Sequence, residues 1–414
     1  MPRAPQLECS LSEAREHVRA VCRAIPEPDN LESVPLAAAA RRYLAASIYA
    51  DRDQPPFDRS LRDGYAVRAA EAKPGERLPV RGIAAAGQAA TQLPPGAAIE
   101  IMTGAAVPAG ADAVLMLEHA ETRADGILPR RAISSGENIA RRGSEARAGE
   151  GLLTPGQMIS AMGVGLLAAL GYAMVPVRER PRVAILSTGH EVVEAGSEPQ
   201  PTQIRNANGP ALAAMVEQAG GTAWRLPIIR DEISQLKQAL RESASAPLIL
   251  ITGGVSRGRF DLVEEALLEI GATIIFDAVR IRPGRPAVLA RLPGSDGAAP
   301  RLAFGLPGNP VSAMLGFRLL ALPALAWLAG AGERAWHLPG WECRLADAWQ
   351  GKAGNLTQFL PARSVRHGDK EQMELVPYHG SGDLTAAARA EGWIVIPENT
   401  EILPACSPVQ FVPL

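Results

Sequence analysis

The chain has 414 residues, 42 Lys and Arg against 44 Asp and Glu, and a formal net charge of -2. That length exceeds one ordinary core and predicts two to four domains. The near-neutral balance excludes the basic field expected of a protein that binds nucleic acid or anionic lipid. Cys9, Cys22, Cys343 and Cys406 lie far apart with no paired metal spacing. They predict buried, reduced thiols in a cytosolic protein rather than a disulfide framework or a zinc site. The first ten residues lack the apolar core of a signal peptide. The apolar stretches 163–177 and 319–331 are too short for a span of about 20 residues or carry glycine and proline. A soluble protein without membrane partners is expected.

In chain order, residues 12–22 and 35–49 predict helices, the second opening at Pro35 and rich in alanine and leucine. Residues 51–121 are rich in glycine and proline, with short apolar runs at 78–83, 98–102 and 113–117 between turn residues. They predict a small β domain inserted into the helical zone, which resumes at 160–169. From 182 onward the pattern alternates. Strands are expected at 183–186, 223–229, 248–251, 273–276, 287–290 and 301–305. Helices are expected at 209–218, 233–243 and 262–270, and an apolar helix after Pro310. This predicts a mostly parallel, three-layer α/β sheet. Residues 340–414, with alternating runs at 393–396 and 409–412, predict a small β barrel or sandwich. The resulting division is 1–50 with 146–179 as an N-terminal helical and extended domain, 51–145 as the inserted β domain, 180–330 as the α/β domain and 331–414 as the C-terminal β domain.

Chemistry concentrates at two glycine-bearing junctions between a strand and a helix. Thr252-Gly253-Gly254-Val255-Ser256 follows the apolar run 248–251, and Leu306-Pro307-Gly308-Asn309-Pro310-Val311-Ser312 follows the strand at 301–305. Turns of this kind leave backbone N–H groups free at a helix start, and two of them predict a phosphate-containing ligand. They would meet Ser187-Thr188-Gly189 at the carboxyl ends of the strands. Arg282 and Arg285, in Arg282-Pro283-Gly284-Arg285-Pro286, offer planar forks suited to phosphate or a tetrahedral oxyanion. A solvated loop is the alternative reading of that pair.

Five motifs carry a resemblance. They are Phe57-Asp58-Arg59-Ser60-Leu61-Arg62-Asp63-Gly64-Tyr65, Ile101-Met102-Thr103-Gly104-Ala105, Gly136-Glu137-Asn138-Ile139, Gly253-Gly254-Val255-Ser256 and Pro307-Gly308-Asn309-Pro310-Val311-Ser312-Ala313. In this order they resemble the molybdopterin molybdenumtransferase family, that of bacterial MoeA and the gephyrin E domain, over nearly the whole chain. The resemblance implies a multidomain α/β plus β protein whose α/β domain binds molybdopterin. It also implies an elongated homodimer with the active cleft shared between subunits. The implied activity is a late step of molybdenum cofactor synthesis. Adenylylated molybdopterin and molybdate are substrates, AMP is released, and Mg2+ or another divalent cation is required. Molybdopterin adenylyltransferase and recipient molybdoenzymes are the further partners it implies.

Carried over residue by residue, the resemblance implies catalytic roles for Asp58, Asp63, Glu191 and Asp261, with Asp58, Glu191 and Asp261 as metal ligands. Magnesium favours oxygen donors and shared phosphate coordination, so few carboxylates suffice. Substrate contacts are implied for Ser60, Thr103, Glu145, Thr188, Gly253, Gly254, Ser256, Arg282, Arg285, Pro307, Gly308, Asn309 and Ser312. Ser60 and Thr103 serve equally well as turn caps, and His190 as a structural residue. The chain departs from the family pattern at His190, Ser144, Asn206, Arg257 and Arg259 and in having arginines in place of lysines around Pro283-Gly284. Together these changes remove acid and add base. Two alternatives therefore stand beside the transferase: a non-catalytic molybdopterin or cofactor carrier, and the preceding adenylyltransferase.

Overall fold

Short, largely apolar runs from residue 182 onward, joined by one strand from the start of the chain, build a seven-stranded sheet. Its strands are β1 (Glu8–Cys9), β2 (Arg182–Ser187), β3 (Thr222–Arg225), β4 (Leu248–Thr252), β5 (Thr273–Val279), β6 (Pro286–Leu292) and β7 (Arg301–Leu306). The structure is a computed structural model and describes residues 7–26, 31–254, 262–294, 299–337, 339–367 and 370–414. The strands lie side by side in the order β1-β5-β6-β7-β4-β2-β3. β7, β4, β2 and β3 pair in parallel, with Leu248 opposite Val183 on one side and Leu302 on the other.

Every residue of β4 is buried, as expected of a strand covered on both faces. Its side chains alternate between two cores. Leu248 and Leu250 join Val18, Leu212, Phe304 and Phe317. Ile249 and Ile251 join Leu236, Leu240, Val263 and Leu267. The first face is therefore covered by α1 (Leu11–Arg23), α2 (Asn208–Gln218) and a long helix, and the second by α3 (Ile233–Glu242) and α4 (Val263–Glu269). That long helix, α5 (Pro310–Leu328), is apolar enough to cross a membrane by length and composition. However, 83% of its most apolar window is buried inside the protein, so here it is a core element. α1 starts at a capping box in which the Ser10 hydroxyl accepts the Glu13 N–H and the Glu13 carboxylate accepts the Ser10 N–H.

The β-α-β alternation expected of residues 273–290 is interrupted. β6 runs antiparallel to both β5 and β7, because the link from Val279 to Pro286 is too short for a crossover helix. The helix expected at 35–49 is also absent. Leu31–Pro35 is a strand paired with Met174–Arg178, only Leu36–Ala38 turns helically, and Arg41 sits at φ 61. Tyr43 and Leu44 then bridge to Met158 and Val177. Long-range pairing overrides the helical preference of the Ala- and Leu-rich stretch.

Two compact units emerge from the chain path. The first, comprising Met1–Ala46, Pro155–Val164 and Met174–Leu414, contains the seven-stranded sheet and the C-terminal strands. Those strands curl into a barrel-like sheet. Thr357–His367, Gly392–Ile396, Pro408–Pro413 and Trp341–Arg344 follow in order, Lys370–Leu375 adds to the first, and a Leu345–Met373 bridge closes the curve. The sheet docks on the α/β core by pairing Ile281–Arg282 with Thr357 and Gln358. The second unit, Ser47–Thr154 with Gly165–Ala173, is built on a four-stranded sheet ordered Val80–Ala84, Ala98–Ile101, Gly64–Val67, Ala113–Met116.

Cys9 and Cys22 are buried, and burial pushes their thiols up to about 11 and about 12. Cys406, by contrast, is exposed at φ 63 in the turn that feeds the last strand, so burial does not hold for all four cysteines.

Phe304 on β7 is fully buried where the sheet meets α5. Phe304→Ala is expected to cost about 3–5 kcal/mol, read as a lowered midpoint in urea denaturation. A cost below about 1 kcal/mol would contradict the packing described.

Candidate functional site

Three strand ends converge. The Thr188 N–H donates to the Thr252 carbonyl at 2.9 Å, and the Gly253 N–H donates to the Leu306 carbonyl at 3.1 Å. Gly253 lies at φ 95, and a Cβ there would stand 2.7 Å from both the carbonyl oxygen and Oγ1 of Thr188. A Cβ on Gly308 would stand 3.6 Å from Gly253 Cα. The turns after β2, β4 and β7 thus touch through backbone, and glycine is what permits the approach.

Asn208, the first residue of α2, locks them. Its Nδ2 donates to Thr252 Oγ1 at 2.6 Å and to the Gly308 carbonyl at 2.7 Å. The neighbouring Asn206 is buried and accepts the Gly209 N–H at 2.9 Å. Asn206 therefore ties down a first-turn N–H of α2 from just before the helix, a task the amide oxygen performs without a charge.

Around this junction opens a cleft of about 1410 Å³. Thr188, Glu191, Gly253, Gly254, Arg282, Arg285, Pro307, Gly308, Asn309 and Ser312, ten of the residues singled out in the sequence, all line it. The opposite wall comes from the C-terminal zone, including Lys352, Gln358, Tyr378, His379 and Ser381. Glu191 and Asp231 are the carboxylate side chains among its described lining.

The polar groups of the cleft differ in how far they are engaged. Arg285 pairs through Nε with Glu8 at 2.8 Å, whereas Arg282 is exposed and makes no ion pair among the described residues. Thr188 Oγ1 and the Tyr378 hydroxyl are buried with no hydrogen-bond partner among the described residues. Burial, aided by the nearby Asp383 carboxylate and opposed by Arg282, pushes the Tyr378 phenol up to about 12, so it remains a donor. The start of α5 is less open than its sequence predicts. The Val311 N–H donates to the Ser381 carbonyl at 3.1 Å and Asn309 Nδ2 to Ser381 Oγ at 2.8 Å. His190 bonds through Nδ1 to Asp231 Oδ2 at 3.1 Å.

The remaining sequence candidates divide into two groups. Ser256 and Asp261, like Arg257 and Arg259, lie outside the described residues. Asp58, Ser60, Asp63, Thr103 and Glu145 belong to the second unit, where they form their own network. Asp58 accepts from Arg141 Nη1 at 2.6 Å and from the Arg142 N–H at 2.8 Å. Partial burial pushes its carboxyl up, but these two donors outweigh it and hold the group below the ordinary value. Asp63 accepts the Thr103 N–H at 2.7 Å, Glu145 pairs with Arg59 at 2.6 Å, and the Ser60 hydroxyl bonds the Arg62 carbonyl at 2.5 Å. The three acids and the Ser60 hydroxyl thus have protein partners, whereas Thr103 is engaged through its backbone N–H. Among the described residues no group of three or more His, Cys, Asp or Glu is placed to hold a metal ion.

Sequence reasoning did not single out Asn208, Asp231, Tyr378 or Ser381 as site residues. Asn208 stands at the start of a helix that directly follows a strand end, and Tyr378-His379-Gly380-Ser381-Gly382 is itself a glycine turn. Both were readable as local signals. Their placement in the cleft depends on tertiary pairing.

Comparison with known proteins supplies the family. Three family models match in succession: the MoeA N-terminal region (domain I and II) over residues 9–171, a probable molybdopterin binding domain over 184–327, and the MoeA C-terminal region (domain IV) over 342–414. The chain is 34% identical to a molybdopterin molybdenumtransferase of Bacillus subtilis over 93% of its length and 90% of the relative's. It is 32% identical to one of Staphylococcus epidermidis, over 86% of this chain and 85% of that one. Two crystal structures of the molybdopterin biosynthesis MoeA protein of Pyrococcus horikoshii superpose with TM-scores of 0.70 and 0.76, at 30% and 28% identity. They cover 98% and 97% of this chain and 98% and 99% of theirs. The chain belongs to the molybdopterin molybdenumtransferase family, the MoeA proteins.

Proposed function

We propose that this protein inserts molybdenum from molybdate into adenylylated molybdopterin and releases AMP, a late step of molybdenum cofactor biosynthesis in the cytosol. The observation that carries this reading is the convergence of three strand-end turns, Arg282 and Arg285 on one large cleft. The substrate is a polyanion, and this cleft meets it with backbone turns, guanidinium groups and unpaired hydroxyls rather than with a field of acids. Arg282, without an ion pair among the described residues, takes an anionic group of the ligand. Arg285 is released to the ligand from Glu8 or shared with it. The Thr188 and Tyr378 hydroxyls donate to ligand oxygens, because each is buried and otherwise unmatched.

A divalent cation, Mg2+ for preference, belongs to the proposal. The donor chemistry fits a cation that keeps most of its shell from water and phosphate: Glu191 is exposed to the cleft with no ion pair among the described residues, and Asp231 lies on the same wall. Glu191 and Asp231 would hold it, and when bound it neutralises charge on the phosphates. Asp58, Asp63 and Asp261 keep the catalytic assignments that the family implies, Asp58 after exchanging its arginine partners. The four-domain division, the homodimer, and delivery to recipient molybdoenzymes are part of the same proposal.

Molybdate-dependent AMP release from adenylylated molybdopterin tests the reaction. A carrier would bind the substrate without releasing AMP, and an adenylyltransferase would consume ATP. Arg282→Ala is expected to weaken substrate binding by about 1.5–3 kcal/mol, the usual worth of a hydrogen bond to a charged group. Unchanged calorimetric affinity would remove Arg282 from the site. Tyr378→Phe, which deletes only the hydroxyl, is expected to cost about 0.5–1.5 kcal/mol in the same titration. No loss would show that the phenol stays unpaired in the complex. Sedimentation is expected to show a dimer at micromolar concentration, and a monomer alone would contradict that part of the proposal.

A further inference from the structure

A second cavity of the first unit, about 630 Å³, shares no lining residue with the cleft. It is bounded by α5, α2 and the turn at Arg41. Arg41, Arg318, Arg334 and His337 line it, and no Asp or Glu side chain stands among its described lining residues. Its apolar wall is Met158, Met215 and Phe317. Phe317 belongs to the main core, and Met215 packs against it.

Arg318 is the group that calls for explanation. It projects from α5, a helix otherwise given over to the core, and its Nε is buried with no hydrogen-bond partner. Among the described residues it makes no hydrogen bond or ion pair through any of its nitrogens. Burial lowers its pKa, and no carboxylate acts in the opposite direction. Arg318 is partly exposed, and a guanidinium partly withdrawn from water without a counter-charge gains from an anion supplied to it. The cavity lies within the size range of small-molecule sites, with an apolar wall on one side and fixed donors on the other.

We propose that this cavity is a binding site for a small organic anion, an apolar body bearing a phosphate or carboxylate head. The head pairs with the Arg318 guanidinium, assisted by Arg41 from the rim. The body lies against Met158, Met215 and Phe317. Thioether and aromatic walls adapt to flat or irregular apolar groups, so the site discriminates on charge and apolar surface rather than on a hydrogen-bond pattern. This inference is independent of the reaction proposed above, since it uses none of the residues placed in the cleft.

Isothermal titration of the full chain at constant ionic strength tests it with three probes: phenyl phosphate, benzoate and inorganic phosphate. At least one aryl anion is expected to bind about ten-fold or more tighter than inorganic phosphate, since burying a phenyl ring supplies the difference. The stronger of the two aryl anions identifies the head group. Arg318→Met is expected to abolish that preference and to leave the thermal midpoint unchanged or raised, because it removes a partly buried charge that has no counter-charge among the described residues. Met158→Asp, which places a carboxylate in the cavity, is expected to weaken the aryl anion while leaving Arg318 in place, and it serves if Arg318→Met does not fold. Arg282→Ala is expected to leave aryl-anion binding intact. Equal affinity for all three probes, binding that survives both cavity variants, or loss of binding in Arg282→Ala would overturn the proposal. So would a wild-type chain that binds no probe while Arg318→Met weakens its self-association in sedimentation, since a second copy would then supply the counter-charge.

Discussion

The backbone contact of Gly253 with Thr188 and Gly308 is the constraint on which the cleft depends. A parallel sheet ends all its strands at one edge, but side chains ordinarily hold the following turns apart. Here a Cβ at Gly253 would collide with Thr188 at 2.7 Å, so that position is open only to glycine. Asn208 then bonds two of the three turns at once. With the turns fixed, the polar groups around them are set by the strands behind them. Turns fixed in this way suit a site that must hold a charged ligand in one orientation.

Charge is divided between the two units. In the first, the cleft carries arginines and donors, with few carboxylates. In the second, Asp53 and Asp58 are held by Arg142 and Arg141 and Glu145 by Arg59, while Asp63 accepts the backbone N–H of Thr103. Each of these acids already satisfies a donor, so recruiting one to a metal or a substrate requires exchanging that partner. A chain that shows acid lost and base gained in its sequence thus displays the same bias in its cleft, although the closest acid-to-neutral change has a quiet structural reading. Asn206 is buried, and as an amide it holds the Gly209 N–H in the first turn of α2 without placing a charge beneath the turns.

Much of this was legible from residue order. The strands expected at 183–186, 248–251 and 301–305 stood out because doubly covered strands read as continuous apolar runs, and their glycine turns marked the ligand edge. Ten candidate residues meet in one cleft for that reason. What stayed hidden depended on pairing between distant segments. The 35–49 stretch has helical composition but is drawn into strand and bridge pairings with 158 and 174–178. Ser381 sits 72 residues beyond the Asn309 it bonds at the start of α5, and no local pattern announces that closure. The membership of Asp58 and its neighbours in a separate unit was visible as a change in composition, but their arginine partners were not.

The central claim is that the polyanionic substrate sits on the strand-end turns and beneath the C-terminal wall. Hydrogen–deuterium exchange, with and without adenylylated molybdopterin, tests this most directly because it reports backbone protection along the whole chain. The account predicts ligand-induced protection in peptides containing Thr188, Gly253, Gly308 and Ser381 together. Protection confined to the peptides around Asp58 and Thr103, with the turns exchanging as in the free protein, would contradict it.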